Sequence, residues 1–174
     1  MIKAAVVTVS DSVVAGTRED RSGPALRDRV LALGWMVSAL ELAPDESEKI
    51  EAVLRRLADS GEIGVILTTG GTGVALRDIT PEATRGVVER EIPGLGELMR
   101  AEGLKFTSTA VLSRGIAGLR GRTLIVNLPG SPKGAVESFD AIAKLVPHIV
   151  DLLEGRTGHA DVSNSDASNS DVSN

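Results

Sequence analysis

The chain has 174 residues, no cysteine, two histidines, one Trp, two Phe, no Tyr, and a net charge of −5 from 24 acidic and 19 basic residues. That is the length of one domain, and the missing cysteines exclude disulfides, thiolate metal sites and cysteine nucleophiles together. The acidic balance and the scarcity of rings argue against duplex binding and against base-stacking platforms, so nucleic acid is not an expected partner.

Residues 2–9, IKAAVVTV, read as a buried strand that runs into Ser10-Asp11-Ser12. The apolar run is too short for a secretory leader, and no run reaches the ~20 residues of a membrane span, so a cytoplasmic protein without a membrane partner is expected. A helix is predicted over 24–33, closed by Gly34, then a strand over 35–42 followed by Ala43-Pro44-Asp45-Glu46. Ile50, Val53, Leu54 and Leu57 share one face of a predicted helix over 46–59. A third strand over 64–68 leads into Thr69-Gly70-Gly71-Thr72-Gly73. Helices follow over 81–90 and 95–103, a short strand over 110–113, and a strand over 122–127 leading into Leu128-Pro129-Gly130-Ser131. A final helix over 133–153 is predicted to break or kink at Pro147. From Asp161 to the end, DVSNSDASNSDVSN repeats one polar five-residue unit with nothing to bury. We expect a folded domain over 1–158 and a disordered Asp/Ser/Asn tail over 159–174.

Strands alternating with helices imply a three-layer α/β fold whose mostly parallel sheet is covered on both faces. Ligands of such sheets sit beyond the carboxyl ends of the strands, where these loops lie. Three glycines in four positions at Gly70, Gly71 and Gly73, with Thr69 and Thr72, suit close approach of backbone N–H groups to a phosphate. Neither common nucleotide motif fits: Leu76 stands where the dinucleotide fingerprint needs its third glycine, and no G-x-x-x-x-G-K-[ST] occurs. Thr80 and Pro81 suit the N-cap and first position of a helix, which leaves Asp78 free. Beside a phosphate cradle, Asp78 suits Mg²⁺, which takes one or two carboxylates together with phosphate oxygens and water; the alternative is a carboxylate that braces the loop. Asp45 fits either a helix cap or a site acid, and Asp11 either a loop brace or a ligand contact. Arg114 and Lys133 offer positive charge to a second anionic group.

Ser10-Asp11, Glu19 to Pro24, Pro44-Asp45-Glu46, Thr69 to Gly73, Arg77 to Ala83, Leu112 to Gly115 and Asn127 to Ser131 occur in the order of the MogA/MoaB family of molybdenum cofactor biosynthesis. The chain resembles that family, and also the G domain of gephyrin, over roughly residues 1–155. The resemblance implies a mixed sheet, a homotrimer, and a molybdopterin adenylyltransferase that transfers AMP from ATP to the molybdopterin phosphate with Mg²⁺ and releases pyrophosphate. It implies catalytic roles for Asp45 and Asp78, the latter also holding the metal. Nucleotide or phosphate contacts are implied at Thr69, Gly70, Gly71, Thr72, Gly73, Pro129, Gly130 and Ser131, and molybdopterin contacts at Ser10, Asp11, Ser113, Arg114 and Asn127. A downstream molybdate-insertion protein is the implied partner. The alternative of a different class is a molybdopterin-binding scaffold without turnover.

Overall fold

The computed structural model describes residues 1–156, so the predicted tail and the domain limit at 158 lie outside the described residues. Six strands form one sheet in the order β2-β1-β3-β6-β5-β4. They are β1 (Lys3–Val9), β2 (Met36–Ala43), β3 (Val65–Thr69), β4 (Arg90–Glu91), β5 (Ala117–Arg120) and β6 (Thr123–Leu128). β2, β1, β3 and β6 run parallel, while β5 and β4 are antiparallel additions at one edge. The helices are α1 (Asp11–Val14), α2 (Ser22–Ala32), α3 (Ser47–Asp59), α4 (Thr80–Arg85), α5 (Pro93–Gly103), α6 (Pro132–Ile142) and α7 (Val146–Leu153).

Side chains alternate across a strand, so the period of two divides the aliphatic runs between two cores. Ala4, Val6, Leu67, Leu124 and Val126 face one core, where α2, α5, α6 and α7 supply Leu26, Met99, Phe139 and Val146. Ala5, Val7, Ile66 and Ile125 face the other, closed by α3 and α4 through Ile50, Leu54 and Ala83. Phe139 is fully buried and meets the Trp35 ring edge-on at 5.7 Å; truncating it to alanine is expected to cost about 3–5 kcal/mol.

Three local expectations are corrected. Residues 110–113 are no strand: Ser108–Leu112 is a 3₁₀ turn whose Thr107 side chain caps Thr109 N–H, and Val111 and Leu112 point outward instead of entering the sheet. The extra strand is β5, joined to β6 by a two-residue turn in which Gly121 has φ +54°. The helix predicted over 81–90 ends at Arg85, because Arg90 and Glu91 pair with β5. The last helical stretch is two helices, with Pro147 in the first turn of the second, where its missing N–H costs nothing.

From β1 the chain crosses to β2 on one side and then returns to β3 on the other. The reversal opens a crevice beyond the carboxyl ends of β1 and β3. The loops after β1, β2, β3 and β6 all end at this edge.

Candidate active site

The loop after β3 is shaped by close approaches that only glycine permits. Gly70 (φ +105°) passes so near the end of β1 that a Cβ there would lie 2.3 Å from the Val9 carbonyl oxygen. Gly71 (φ +65°) packs on Thr80, where a Cβ would lie 2.2 Å from Oγ1. The Thr69 hydroxyl donates to the Pro129 carbonyl at 2.7 Å, so it ties this loop to the one after β6. The N–H groups of Gly71, Thr72 and Gly73 meet no protein acceptor among the described residues, which leaves them available to an anion. Ser131 caps α6 by accepting from Gly134 N–H at 3.1 Å, and this helix N-terminus opens on the same crevice.

Two aspartates face the glycine loop. Asp45 accepts Asp11 N–H on Oδ2 at 3.0 Å and donates its own N–H to Asp11 Oδ1 at 2.8 Å. Its Oδ1 remains 3.3 Å from the place a Gly71 Cβ would occupy. Asp45 is therefore no helix cap: α3 starts from Glu46, with no side-chain cap bond. Asp78 accepts Ala75 N–H on Oδ2 at 2.9 Å, so it braces the turn and still fronts the crevice. The expected Thr80 cap is not formed. Thr80 lies inside α4, donates its N–H to the Gly71 carbonyl at 3.1 Å, and has a buried hydroxyl without a partner among the described residues.

Arg114 acts on backbone. Its Nε donates to the Gly73 carbonyl at 2.7 Å, its Nη2 to the Asp78 carbonyl, and its Nη1 pairs with Glu82, while its N–H reaches the Thr72 carbonyl at 2.8 Å. The guanidinium thus clamps the segment 72–78 onto α4, and its hydrogen bond holds the Glu82 carboxyl below the usual range. Arg100, which carried no motif signal, holds the Ser113 and Gly115 carbonyls from α5 at 3.3 and 3.1 Å. Asn127 is buried: its amide donates to the Thr68 and Thr84 hydroxyls at 3.0 and 2.9 Å and its carbonyl accepts Ile116 N–H at 3.3 Å.

Two chambers adjoin at Gly71, Asp78, Gly130 and Ser131. The first, about 450 Å³, runs between α5, α6 and the 3₁₀ turn past Met99, Leu112, Ser113 and Ser138. The second, about 540 Å³, is bordered by Ser10, Asp11, Asp45 and three arginines, Arg18, Arg21 and Arg77. The residues expected to contact molybdopterin are therefore divided. Ser113 and Asn127 border the first chamber and Ser10 and Asp11 the second, while Arg114 borders neither. Of the phosphate set, Gly71, Gly130 and Ser131 stand at the junction, Thr72, Gly73 and Pro129 in the first chamber, and Gly70 in the second; Thr69 lies behind the loop.

Residues 5–148 match a family model described as "Probable molybdopterin binding domain". The curated molybdopterin adenylyltransferase of Helicobacter pylori strain J99 is 44% identical over 153 residues, covering 86% of this chain and 86% of that protein. The molybdopterin adenylyltransferase of Escherichia coli K12 is 38% identical over 174 residues, covering 88% of this chain and 86% of that protein. Among solved structures, the molybdopterin biosynthesis enzyme MoaB of Thermus thermophilus superposes with a TM-score of 0.84 at 52% identity, covering 89% of this chain and 98% of that one.

Proposed function

The chain belongs to the molybdopterin-binding family of molybdenum cofactor biosynthesis, and from that premise we infer that it is a molybdopterin adenylyltransferase. The observation that carries the reading is the junction of two chambers at an anion-receptive loop. Each chamber is large enough for part of a ring-bearing substrate, and the shared wall is where two phosphates meet. In this reading an oxygen of the molybdopterin phosphate attacks the α-phosphorus of ATP, and the bond from that phosphorus to the α,β-bridging oxygen breaks to release pyrophosphate. Such a transfer depends mainly on positioning and on stabilising charge. The free N–H groups of residues 71–73 and the N-terminus of α6 supply fixed positive dipoles for the equatorial oxygens.

The donor set suits Mg²⁺. No group of three or more His, Cys, Asp or Glu able to hold a metal occurs among the described residues. Asp45 and Asp78 each commit one oxygen to a backbone N–H and keep the other. That matches an ion which takes one or two carboxylates and completes its shell with phosphate and water. Bound there, Mg²⁺ would neutralise phosphate charge.

The homotrimer implied by the resemblance is supported by Leu104, Phe106, Val111 and Leu112, apolar side chains each at least half exposed in and just before the 3₁₀ turn that follows α5. The same reading carries a cytoplasmic location and delivery of the adenylylated product to a molybdate-insertion protein. No helix among the described residues is long and apolar enough to cross a membrane.

The test is pyrophosphate release from ATP with and without molybdopterin, in the wild type and in Asp78→Asn. Release should require both substrates and fall by about 100-fold or more in the variant, whose side-chain oxygen can still accept Ala75 N–H and keep the fold. Molybdopterin binding without any pyrophosphate release would make the protein a scaffold of the same fold.

A further inference from the structure

We propose that Arg77 and Arg18 form a cationic clamp in the second chamber that grips the triphosphate tail of ATP and then the departing pyrophosphate. The proposal rests on the adenylyltransferase reading and assigns the direction in which the leaving group points.

Most arginines in this molecule are already engaged. Arg29 pairs with Asp140, Arg56 with Glu41, Arg85 with Glu91, Arg114 with Glu82 and Arg120 with Asp59, and Arg100 is held by two carbonyls. The side chains of Arg18 and Arg77 make no ion pair or hydrogen bond among the described residues, although both border a chamber containing several carboxylates. Those carboxylates have other commitments. Asp11 and Asp45 hold each other's backbone. Asp20 accepts from the Thr8 hydroxyl at 2.8 Å and from Gly23 N–H at 3.0 Å at the start of α2. Asp78 braces Ala75, and Glu19 sits against Arg21. Two guanidinium groups therefore remain unspent on the wall of a chamber that Gly70, Gly71 and Ser131 also line. The first chamber offers one guanidinium, Arg100, fixed through its Nη1 to the Ser113 and Gly115 carbonyls, against two in the second without partners among the described residues.

The chemistry needs cations on that side. When the molybdopterin phosphate oxygen bonds to the α-phosphorus, the electron pair of the broken bond stays on the α,β-bridging oxygen, and pyrophosphate gathers negative charge. A planar guanidinium matches adjacent phosphate oxygens with two parallel N–H donors, which a lysine ammonium does not.

The experiment uses the full chain. Equilibrium binding of pyrophosphate with Mg²⁺ is measured calorimetrically for the wild type, Arg77→Gln, Arg18→Gln, the double variant and Arg77→Lys, alongside KM for ATP and molybdopterin. Each glutamine should weaken pyrophosphate and raise KM for ATP about tenfold, with KM for molybdopterin and the melting temperature unchanged, and lysine should restore only part. Pyrophosphate affinity within twofold of wild type in the double variant would overturn the clamp. Loss of pyrophosphate binding in the glutamine variants of a wild type that nonetheless transfers no adenylyl group would sustain the clamp and overturn the activity.

Discussion

Asp11 and Asp45 each accept the other's backbone N–H, at 2.8 and 3.0 Å, and so lock the loop after β1 to the loop after β2. The exchange commits Oδ2 of Asp45 to Asp11 and leaves Oδ1 beside Gly71. Asp11 is therefore a positioning residue for Asp45. Asp11→Ala should lower kcat about tenfold, in keeping with loss of hydrogen bonds to a charged group, with KM for both substrates nearly constant, whereas Asp11→Asn keeps an acceptor and most of the rate. Equal losses of molybdopterin affinity in both variants would make Asp11 a ligand contact.

Asn127 should prove structural. Its truncation strands Ile116 N–H and the Thr84 hydroxyl in a buried setting and leaves the Thr68 hydroxyl only a 3.5 Å bond to the Val126 carbonyl, and each stranded group costs about 1–3 kcal/mol. Chemical denaturation of Asn127→Ala should show a loss of several kcal/mol, while the folded fraction binds molybdopterin almost as tightly as wild type. A stable variant with weakened binding would restore the contact expected from the sequence.

The Thr80 hydroxyl is buried and unpartnered, so Thr80→Val should be neutral or stabilising by up to ~1–3 kcal/mol. Gly71→Ala should do the opposite, because the new Cβ collides with Thr80 Oγ1 and the backbone has φ +65°. Urea midpoints on both variants read the two signs directly. A clear destabilisation by Thr80→Val would mean that the hydroxyl has a partner in solution.

Hydrogen bonding from Arg114 holds the Glu82 carboxyl below its usual range in the folded state. With the folded value depressed, the pair contributes stability above the ordinary glutamate pKa and loses it as pH falls through the lowered one. The melting-temperature gap between wild type and Glu82→Gln should therefore be open at pH 7 and close at pH values below the ordinary carboxylate range. Other titrations are common to both proteins and cancel. A gap constant across that window would remove the Arg114 pair from the stability of the 72–78 segment.

Most of the sheet was legible because β1, β3 and β6 are runs dominated by aliphatic and β-branched residues and buried almost throughout, the signature of strands covered on both faces. β5 was not, since Ala-Gly-Leu-Arg has little strand character alone and is recruited by the turn at Gly121 and by β6. The 3₁₀ turn misled for the converse reason: a short apolar run at 110–112 is left facing outward. Within the site, the glycine loop and the approach of Asp45 and Asp78 to it follow from loops that end parallel strands. The work of Arg114, Arg100 and Asn127 was hidden, because each is defined by carbonyls and hydroxyls distant in sequence. Residue type alone cannot separate a guanidinium that holds backbone from one that awaits a phosphate.

If an adenylyl group crosses the junction between the chambers, the fate of labelled phosphorus reports the crossing. With ATP labelled at the α-phosphate, the wild type should move the label onto molybdopterin; with ATP labelled at the γ-phosphate, all label should leave in pyrophosphate. Transfer of γ-label to the pterin, or bound molybdopterin that never acquires α-label, would show that no adenylyl transfer takes place at the junction.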